Sequence, residues 1–148
     1  MQNQQITETV SRLFIAVDQR NWDEVKIIFN SSVLLDYTSM TGGEPANLAA
    51  EQIINSWKGL LPGFDATHHQ LGNFIVKSDN KRASVFCYGT ATHFLKNETG
   101  NNVWTVVGSY DLELIEQEGA WKIAKMKFNF KYMDGNSDLP TLAQNKLK

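Results

Sequence analysis

Partway along the chain, the apolar residues change from helical spacing to strand spacing, and this change restricts the possible folds more than any other feature. Before Pro62, apolar side chains recur at helical intervals, as in Ile6, Val10, Leu13 and Val17. After Pro62, long stretches are rich in β-branched and aromatic residues and alternate with a period of two. Helices that precede strands, rather than alternate with them, are typical of the α+β class.

Three helices and one strand are predicted in the first half. The first helix is amphipathic, with about three turns around the apolar stripe. Asn21 and the glutamate three residues later resemble a capping box, so a short second helix is expected there. Ser32–Ser39 predicts a first strand, and Asn47–Leu61 predicts a third helix that a Pro-Gly pair ends.

Four long strands with short connections are predicted in the second half. Their expected ranges are Thr67–Ser78, Arg82–Leu95, Val103–Glu116 and Ala120–Met133. Consecutive strands joined by tight turns pair antiparallel. The apolar face of the last strand changes phase, which predicts a β-bulge near Ile123–Lys125. We therefore expect a curved, mostly antiparallel sheet that wraps around three N-terminal helices and encloses an apolar pocket.

The composition indicates one globular domain. The chain has 148 residues, a net charge of −2 and one cysteine, Cys87. This charge provides no basic patch for nucleic acid, a lone cysteine forms no internal disulfide, and no apolar run approaches the ~20 residues of a membrane span. We expect a single domain over residues 1–135, a loose polar tail over 136–148, a cytoplasmic location and no membrane association.

Three polar side chains are candidates for the interior. Asp18 continues the apolar stripe of the first helix four residues after Phe14, where an unpaired carboxylate would cost several kcal/mol. An exposed position at the helix end is the alternative for Asp18. His93 shares a strand face with small residues, which leaves room for a ligand. His68 and His69 are adjacent and point to opposite faces, and alternation alone does not decide which one enters the interior.

These residue types indicate acid–base chemistry. Imidazole titrates near neutral pH, and a carboxylate can fix its tautomer and raise its basicity. Tyr110 is expected to enter the interior, where its hydroxyl needs a hydrogen-bond partner. Two histidines and a carboxylate are also ligands of non-haem iron, but their long-range spacing does not support such a site. We therefore predict no metal and no cofactor.

Several motifs occur in an order that resembles a known family. Ala16-Val17-Asp18 followed by Asn21-Trp22-Asp23 resembles the first helical hairpin of scytalone dehydratase and related SnoaL-like proteins. Three further matches are Leu35-Asp36-Tyr37-Thr38-Ser39, Thr67-His68-His69 and Gly119-Ala120-Trp121-Lys122. The resemblance covers about residues 5–135 and implies the α+β cone of the nuclear transport factor 2-like, or cystatin-like, superfamily.

The resemblance also implies a set of catalytic residues. It assigns the family's aspartate to Asp18 and its histidines to His69 and His93, and it thereby prefers His69 over His68. It assigns a pocket tyrosine to Tyr37. The side chains expected to surround the ligand are Phe14, Trp57, Tyr110, Met126 and Phe128.

The sequence departs from the family pattern at three positions. Val17 replaces the tyrosine that precedes the family's aspartate, and Gly108 and Tyr110 correspond to a serine and an asparagine on the third long strand. The groups that activate a carbonyl and orient the substrate are therefore not all present. The site could serve a different substrate or a different reaction.

The predicted function is a lyase or isomerase, similar to a dehydratase or cyclase, that acts on a small hydrophobic cyclic or polyketide-like molecule. In a dehydration, His69 would take a proton alpha to a carbonyl, and His93 with Asp18 would hold a water or protonate the departing hydroxyl. Tyr37 or Tyr110 would hydrogen-bond the enolate oxygen. The alternative is a non-catalytic ligand-binding or oligomerisation module with the same fold.

The outer face of the sheet predicts self-association. Its apolar residues are Phe86, Tyr88, Phe94 and Ile115. An apolar patch of this kind on a sheet surface favours a homodimer or a homotrimer.

Overall fold

The computed structural model describes residues 1–148 and confirms the predicted α+β class. Four of its five helices lie before the four long strands, and all six strands form one sheet. The elements in chain order are α1 (Gln2–Asp18), α2 (Trp22–Ile28), β1 (Phe29–Asp36), α3 (Thr38–Thr41), β2 (Ala46–Ala49), α4 (Ala50–Lys58), a 3₁₀ turn (Leu61–Gly63), β3 (Ala66–Ser78), β4 (Arg82–Phe94), β5 (Val103–Gln117), β6 (Ala120–Gly135) and α5 (Leu139–Lys146). None of these helices is both long and apolar enough to cross a membrane.

The sheet is mostly antiparallel, in the order β2-β1-β6-β5-β4-β3. Strands β3 to β6 form the predicted antiparallel meander. Strand β1 pairs in parallel with β6, and β2 pairs antiparallel with β1 at the sheet edge. The β1–β6 pair joins the two ends of the domain, and local sequence patterns carry no information about such a long-range pair.

Register shifts interrupt the long strands and bend the sheet. The shift between Glu113 and Leu114 leaves Ala124 without a partner in β6, which confirms the predicted bulge. A second irregularity lies in β3 between Gly72 and Ile75. Because a bulge adds local twist and bend, these interruptions let the sheet curve around the helices.

The predicted third helix is shorter than its helical spacing indicates. Its first residues form the edge strand β2, where Asn47 pairs with Leu34 of β1. Helix α4 begins only after Ala49, whose backbone N–H donates to Gln52 Oε1 at 2.8 Å. Tertiary strand pairing therefore overrides the helical pattern at this end.

The first strand also ends earlier than predicted. The Asp36 carboxylate accepts hydrogen bonds from the backbone N–H of Thr38 at 3.0 Å and from its hydroxyl at 2.7 Å. These bonds turn the chain into α3, so residues 37–39 leave the sheet. Asp36 is buried at this turn, whereas strand alternation alone suggests that it points outward.

The expectation of a loose tail over 136–148 is wrong for most of that segment, because it contains α5. Leu139 and Ala143, one helical turn apart, are fully buried against the domain. Gly63 accommodates this helix so closely that an added Cβ would lie 2.0 Å from the Ala143 carbonyl oxygen. Two buried apolar residues are enough to dock a segment whose overall composition is polar.

The core and an open cavity occupy different parts of the same strands. Side chains near one end of β4 and β5, such as Val85, Cys87 and Leu112, pack with α1 residues and are buried. Further along β4, the interior positions are the small residues Gly89 and Ala91. The sheet therefore closes around a packed core at one end and leaves free volume near the other.

Candidate active site

A cavity of about 360 Å³ lies between the helices and the concave face of the sheet. Thirteen of its 18 lining residues are hydrophobic, and none is an aspartate, glutamate, lysine or arginine. The polar side chains among them are Tyr37, Ser56, His69, His93, Tyr110 and Gln144. An apolar cavity with a few polar groups is typical of a site for a small, uncharged molecule.

Four of the five side chains expected around a ligand line this cavity, namely Phe14, Trp57, Tyr110 and Phe128. The fifth expectation, Met126, is not met, because Met126 is fully buried in the core. The Tyr37 hydroxyl lies 3.6 Å from Met126 Sδ, and Tyr37 itself lines the cavity. Met126 therefore contacts Tyr37 at the cavity wall and does not line the cavity itself.

Asp18 and His69 form a close pair at the cavity. His69 Nδ1 lies 2.7 Å from Asp18 Oδ1, and the backbone N–H of His69 donates to Asp18 Oδ2 at 2.8 Å. Thr67 Oγ1 donates a third hydrogen bond to Asp18 Oδ1 at 3.0 Å. The Asp18 carboxylate is therefore largely buried and not exposed at the helix end. These three hydrogen bonds offset the free-energy cost of burying it.

The ionisation of Asp18 determines the tautomer of His69. Burial by itself raises the pKa of the Asp18 carboxyl, but the hydrogen bonds and charge of His69 outweigh burial and hold this pKa below its ordinary value. An ionised carboxylate only accepts, so His69 Nδ1 carries a proton that it donates to Asp18. In the neutral ring Nε2 then has a free lone pair, and His69 lines the cavity. His68, on the opposite face of β3, is exposed.

His93 lies near this pair but has different partners. Its Nδ1 lies 2.9 Å from the Trp104 carbonyl oxygen, and the ring centroids of His69 and His93 are 6.3 Å apart. Asp18 therefore bonds to His69 and not to His93, contrary to the expected pairing of Asp18 with His93. Asp18 meets β3 at both Thr67 and His69, whereas His93 lies on the neighbouring strand β4, opposite Thr67.

His93 is held in its neutral form. Burial lowers the pKa of His93 to about 4, and its hydrogen bond to the Trp104 carbonyl offsets only part of this effect. Because a carbonyl only accepts, His93 Nδ1 carries the ring proton and Nε2 has the lone pair. Near neutral pH, His93 is therefore an acceptor at Nε2 and not a proton donor.

Two tyrosines add hydroxyl groups to the cavity. Burial raises the pKa of Tyr37 to about 12 and also raises that of Tyr110. The Tyr110 ring packs against Phe14 and Phe128, with centroid distances of 4.9 and 5.0 Å. Gly89 makes room for it, since an added Cβ there would lie 2.4 Å from the Tyr110 ring. Both phenols remain protonated near neutral pH and can donate hydrogen bonds.

The residues near the site that are absent from the predicted set include Arg20, Thr67 and Trp104. Arg20 Nη1 donates to Thr67 Oγ1 at 2.7 Å, and Trp104 lines the cavity with an indole N–H that has no hydrogen-bond partner in the protein. Strand alternation already places Trp104 on the interior face of β5. No sequence signal identifies Arg20, because an arginine after a helix is normally solvated.

The site does not resemble a metal centre. No group of three or more His, Cys, Asp or Glu side chains is arranged to hold a metal ion. Cys87 is a free cysteine in the core, and burial raises the pKa of its thiol to about 12. This thiol is therefore a core group and not a nucleophile.

Comparison with known proteins agrees with the predicted family. Residues 2–127 match the family model of the SnoaL-like domain. No curated protein matches the sequence significantly.

Solved structures with the same fold include the Kfla4162 protein from Kribbella flavida, which is 24% identical, with a TM-score of 0.86 over 96% of each chain. A protein from Novosphingobium aromaticivorans, provisionally named a scytalone dehydratase, is 15% identical, with a TM-score of 0.77 over 91% of this chain and 87% of that chain. The hexachlorocyclohexane dehydrochlorinase LinA-type3 from Novosphingobium barchaimii is 17% identical, with a TM-score of 0.71 over 92% and 90% of the two chains. These similarities confirm the fold, a curved, mostly antiparallel sheet packed against N-terminal helices.

Proposed function

Because this chain belongs to the family of SnoaL-like domains, we propose that it is a cofactor-independent lyase that removes water from a small, neutral, hydrophobic molecule. The observation that carries this proposal is the Asp18–His69 pair at the wall of an apolar cavity. A carboxylate that holds an imidazole in one tautomer, with the second ring nitrogen free, is the arrangement of a general base.

The first step of the proposed reaction is proton abstraction by His69. Nε2 takes a proton from the carbon alpha to a carbonyl, and Asp18 stabilises the imidazolium that forms. The electron pair of the broken C–H bond moves toward the carbonyl oxygen as an enolate. Tyr37 or Tyr110 donates a hydrogen bond to that oxygen, and the high pKa of each phenol keeps its proton on the tyrosine.

The second step is departure of the hydroxyl group from the adjacent carbon. His93 Nε2 can accept a hydrogen bond from this hydroxyl and orient it, but the low pKa of His93 prevents it from supplying a proton. The proton that His69 removed from carbon is then the one that leaves with the hydroxyl group as water. One C–H and one C–O bond break, and a conjugated C=C bond forms.

The state of His93 favours dehydration over loss of a halide. A hydroxyl leaving group has a hydrogen that the neutral Nε2 can accept, whereas a halide has none and would face a lone pair. The absence of charged side chains at the cavity wall likewise favours an uncharged substrate, cyclic or polyketide-like in shape.

Substitutions at the base and at its neighbour test the proposal. A panel of neutral β-hydroxy ketones is screened for growth of the ultraviolet absorbance of the conjugated product. We expect His69→Ala to lower kcat about 10²- to 10⁴-fold, because the general base is lost, and Asp18→Asn to lower it in the same direction.

His68→Ala is the matched control, since His68 is the adjacent residue on the exposed face of β3. It should keep full activity. Unchanged turnover in both His69→Ala and Asp18→Asn would contradict the proposal.

The mostly apolar cavity wall favours a second candidate, a non-catalytic module that binds a small hydrophobic molecule. This function needs shape and apolar surface but no base. It predicts that His69→Ala leaves ligand affinity within a factor of two or three in a calorimetric titration and that no substrate of the panel is converted. Under the dehydratase proposal, the same variant retains binding and loses turnover of a converted substrate.

We further propose that the protein forms a homodimer or homotrimer through the outer face of the sheet, where the aromatic residues Tyr88 and Phe94 are exposed. Light scattering that gives a monomer mass at micromolar concentration would refute this association. A cytoplasmic location is proposed as well, since the single cysteine needs no oxidising compartment. Fractionation of the producing cells tests it.

A further inference from the structure

Arg20 adopts an unusual backbone conformation beside the site. Its φ of 59° lies in the left-handed region, which costs a non-glycine residue free energy unless surrounding contacts hold it there. Backbone bonds at the end of α1 hold it there, from Arg20 N–H to the Val17 carbonyl at 3.1 Å and from Asn21 N–H to the Ala16 carbonyl at 2.9 Å. The guanidinium adds bonds to the Leu61 carbonyl at 2.7 Å and to the Val17 carbonyl at 3.1 Å. The Arg20 side chain therefore packs against the protein surface and is only partly exposed.

The third strong partner of Arg20 is the hydroxyl of Thr67. Arg20 Nη1 lies 2.7 Å from Thr67 Oγ1, and the same oxygen lies 3.0 Å from Asp18 Oδ1. A guanidinium can only donate, so the hydroxyl must accept from Arg20. Its single proton is therefore directed at Asp18, and the hydroxyl has no freedom to point elsewhere.

The hydroxyl bridge leaves the carboxylate available to His69. Arg20 makes no direct ion pair with the Asp18 carboxylate, because the Thr67 hydroxyl lies between them and bonds to both. A direct, bidentate pair would occupy the oxygens that His69 needs. Through the bridge, Asp18 Oδ1 accepts from both Thr67 and His69, and Oδ2 accepts from the His69 backbone.

We propose that Arg20 and Thr67 are positioning residues, in which the guanidinium polarises the Thr67 hydroxyl and that hydroxyl holds Asp18 ionised and aimed at His69. The inference rests on the proposed function, because it assigns the relay to the general base of that reaction. The left-handed turn at Arg20 ends α1, and its guanidinium lies beside Thr67 of β3.

Other charged and titratable groups act on the same carboxylate. His69 supplies two of its hydrogen bonds, His93 of β4 interacts with it electrostatically, and so does Tyr110 of β5. None of these groups bonds to Thr67 Oγ1. The relay can therefore be interrupted at Thr67 or at Arg20 while the other neighbours of Asp18 remain in place.

The test reads the carboxylate directly and needs no substrate. The Asp18 carboxyl is followed by ¹³C NMR as a function of pH, and the His69 ring nitrogens are followed by ¹⁵N NMR, in the full chain. Thr67→Val keeps the shape of the side chain and removes its hydroxyl. We expect this variant to shift the Asp18 titration to higher pH and to lower the population of the Nδ1–H tautomer of His69. Thr67→Ser should restore both signals.

Arg20→Gly tests the relay without adding backbone strain. Glycine adopts a φ of 59° without strain, so the backbone loses a cost while the guanidinium is removed. The expected result is again an upward shift of the Asp18 titration. Arg12→Gly is the matched control, because Arg12 lies on α1 with an exposed side chain whose ion pair is with Glu24, at 3.9 Å, and not with the site. It should leave the Asp18 titration unchanged.

Each outcome decides the inference. Upward shifts in both Thr67→Val and Arg20→Gly, with recovery in Thr67→Ser, support the relay. An unchanged Asp18 titration in either variant overturns it, and if Thr67→Val does not fold, Arg20→Gly against Arg12→Gly decides. Where a substrate is available, we expect each relay variant to lose about 10- to 100-fold in kcat. An unchanged NMR signal together with lost activity in His69→Ala would overturn the relay alone and leave the dehydratase proposal standing.

Discussion

Moderate acid should destabilise this protein through His93. An imidazole in the unfolded chain titrates near 6.5, whereas burial lowers the pKa of His93 in the folded protein to about 4. As the pH falls below 6.5, the unfolded state binds a proton that the folded state does not. Above pH 6.5, His93 therefore does not lower the free energy of unfolding. This free energy decreases as the pH falls from 6.5 to about 4, and protonation of His93 causes no further decrease below that.

The size of the effect follows from the two pKa values. Each unit of difference corresponds to about 1.4 kcal/mol, so the full loss is about 3 kcal/mol, of which about 2 kcal/mol is reached at pH 5. The contribution of Asp18 lies lower in pH. Its folded pKa is below 3.8, so the stability it provides is lost only as the pH falls through that more acidic range. The interval from pH 7 to pH 5 therefore reports mainly on the histidine.

Urea unfolding at pH 7, 6 and 5 measures this dependence. His93→Asn removes the titrating group and keeps an N–H that can reach the Trp104 carbonyl. Between pH 7 and pH 5, the free energy of unfolding of this variant should therefore fall by about 2 kcal/mol less than that of the unmodified protein. His68→Asn removes an exposed imidazole and should retain the full dependence. Equal slopes for His93→Asn and the unmodified protein would refute the assignment.

Two glycine substitutions test the packing around the cavity. Gly63→Ala puts a Cβ 2.0 Å from the Ala143 carbonyl oxygen, so we expect a loss of about 1–3 kcal/mol in thermal unfolding and faster proteolysis within α5; an unchanged cleavage rate would contradict the docking of that helix. Gly89→Ala puts a Cβ 2.4 Å from the Tyr110 ring, which must turn into the cavity. Fluorescence titration with 1-naphthol should show affinity roughly tenfold weaker than in the unmodified protein, and equal affinities would show that the ring moves elsewhere.

Local patterns account for much of the architecture. A period of two along β4 and β5 places His93 and Tyr110 on the interior face, because side-chain direction in a strand depends only on position. The change of phase in β6 likewise locates its bulge at Ala124. The edge strand β2 and helix α5 are different, since each depends on contact with a distant partner and neither has a strong pattern of its own.

Sequence patterns likewise predict one part of the candidate site and leave another part to the fold. The sequence by itself determined that Asp18 lies on an apolar stripe and that His93 lies on a small-residue face, since both follow from helix and strand geometry. It did not determine that Asp18 bonds to His69, because that depends on where α1 meets β3. The choice between His68 and His69 came from family resemblance, and the fold places the second of them at the cavity.

Only the tertiary structure decided the chemical state of the site. The neutral form of His93 depends on its burial, and its tautomer depends on the carbonyl of Trp104. The role proposed for Arg20 depends on its contact with Thr67, which lies on a distant strand. Periodicity is a property of neighbouring residues in one element, so it specifies faces. Hydrogen-bond partners and pKa values depend on how separate elements approach one another, and for these the fold itself is needed.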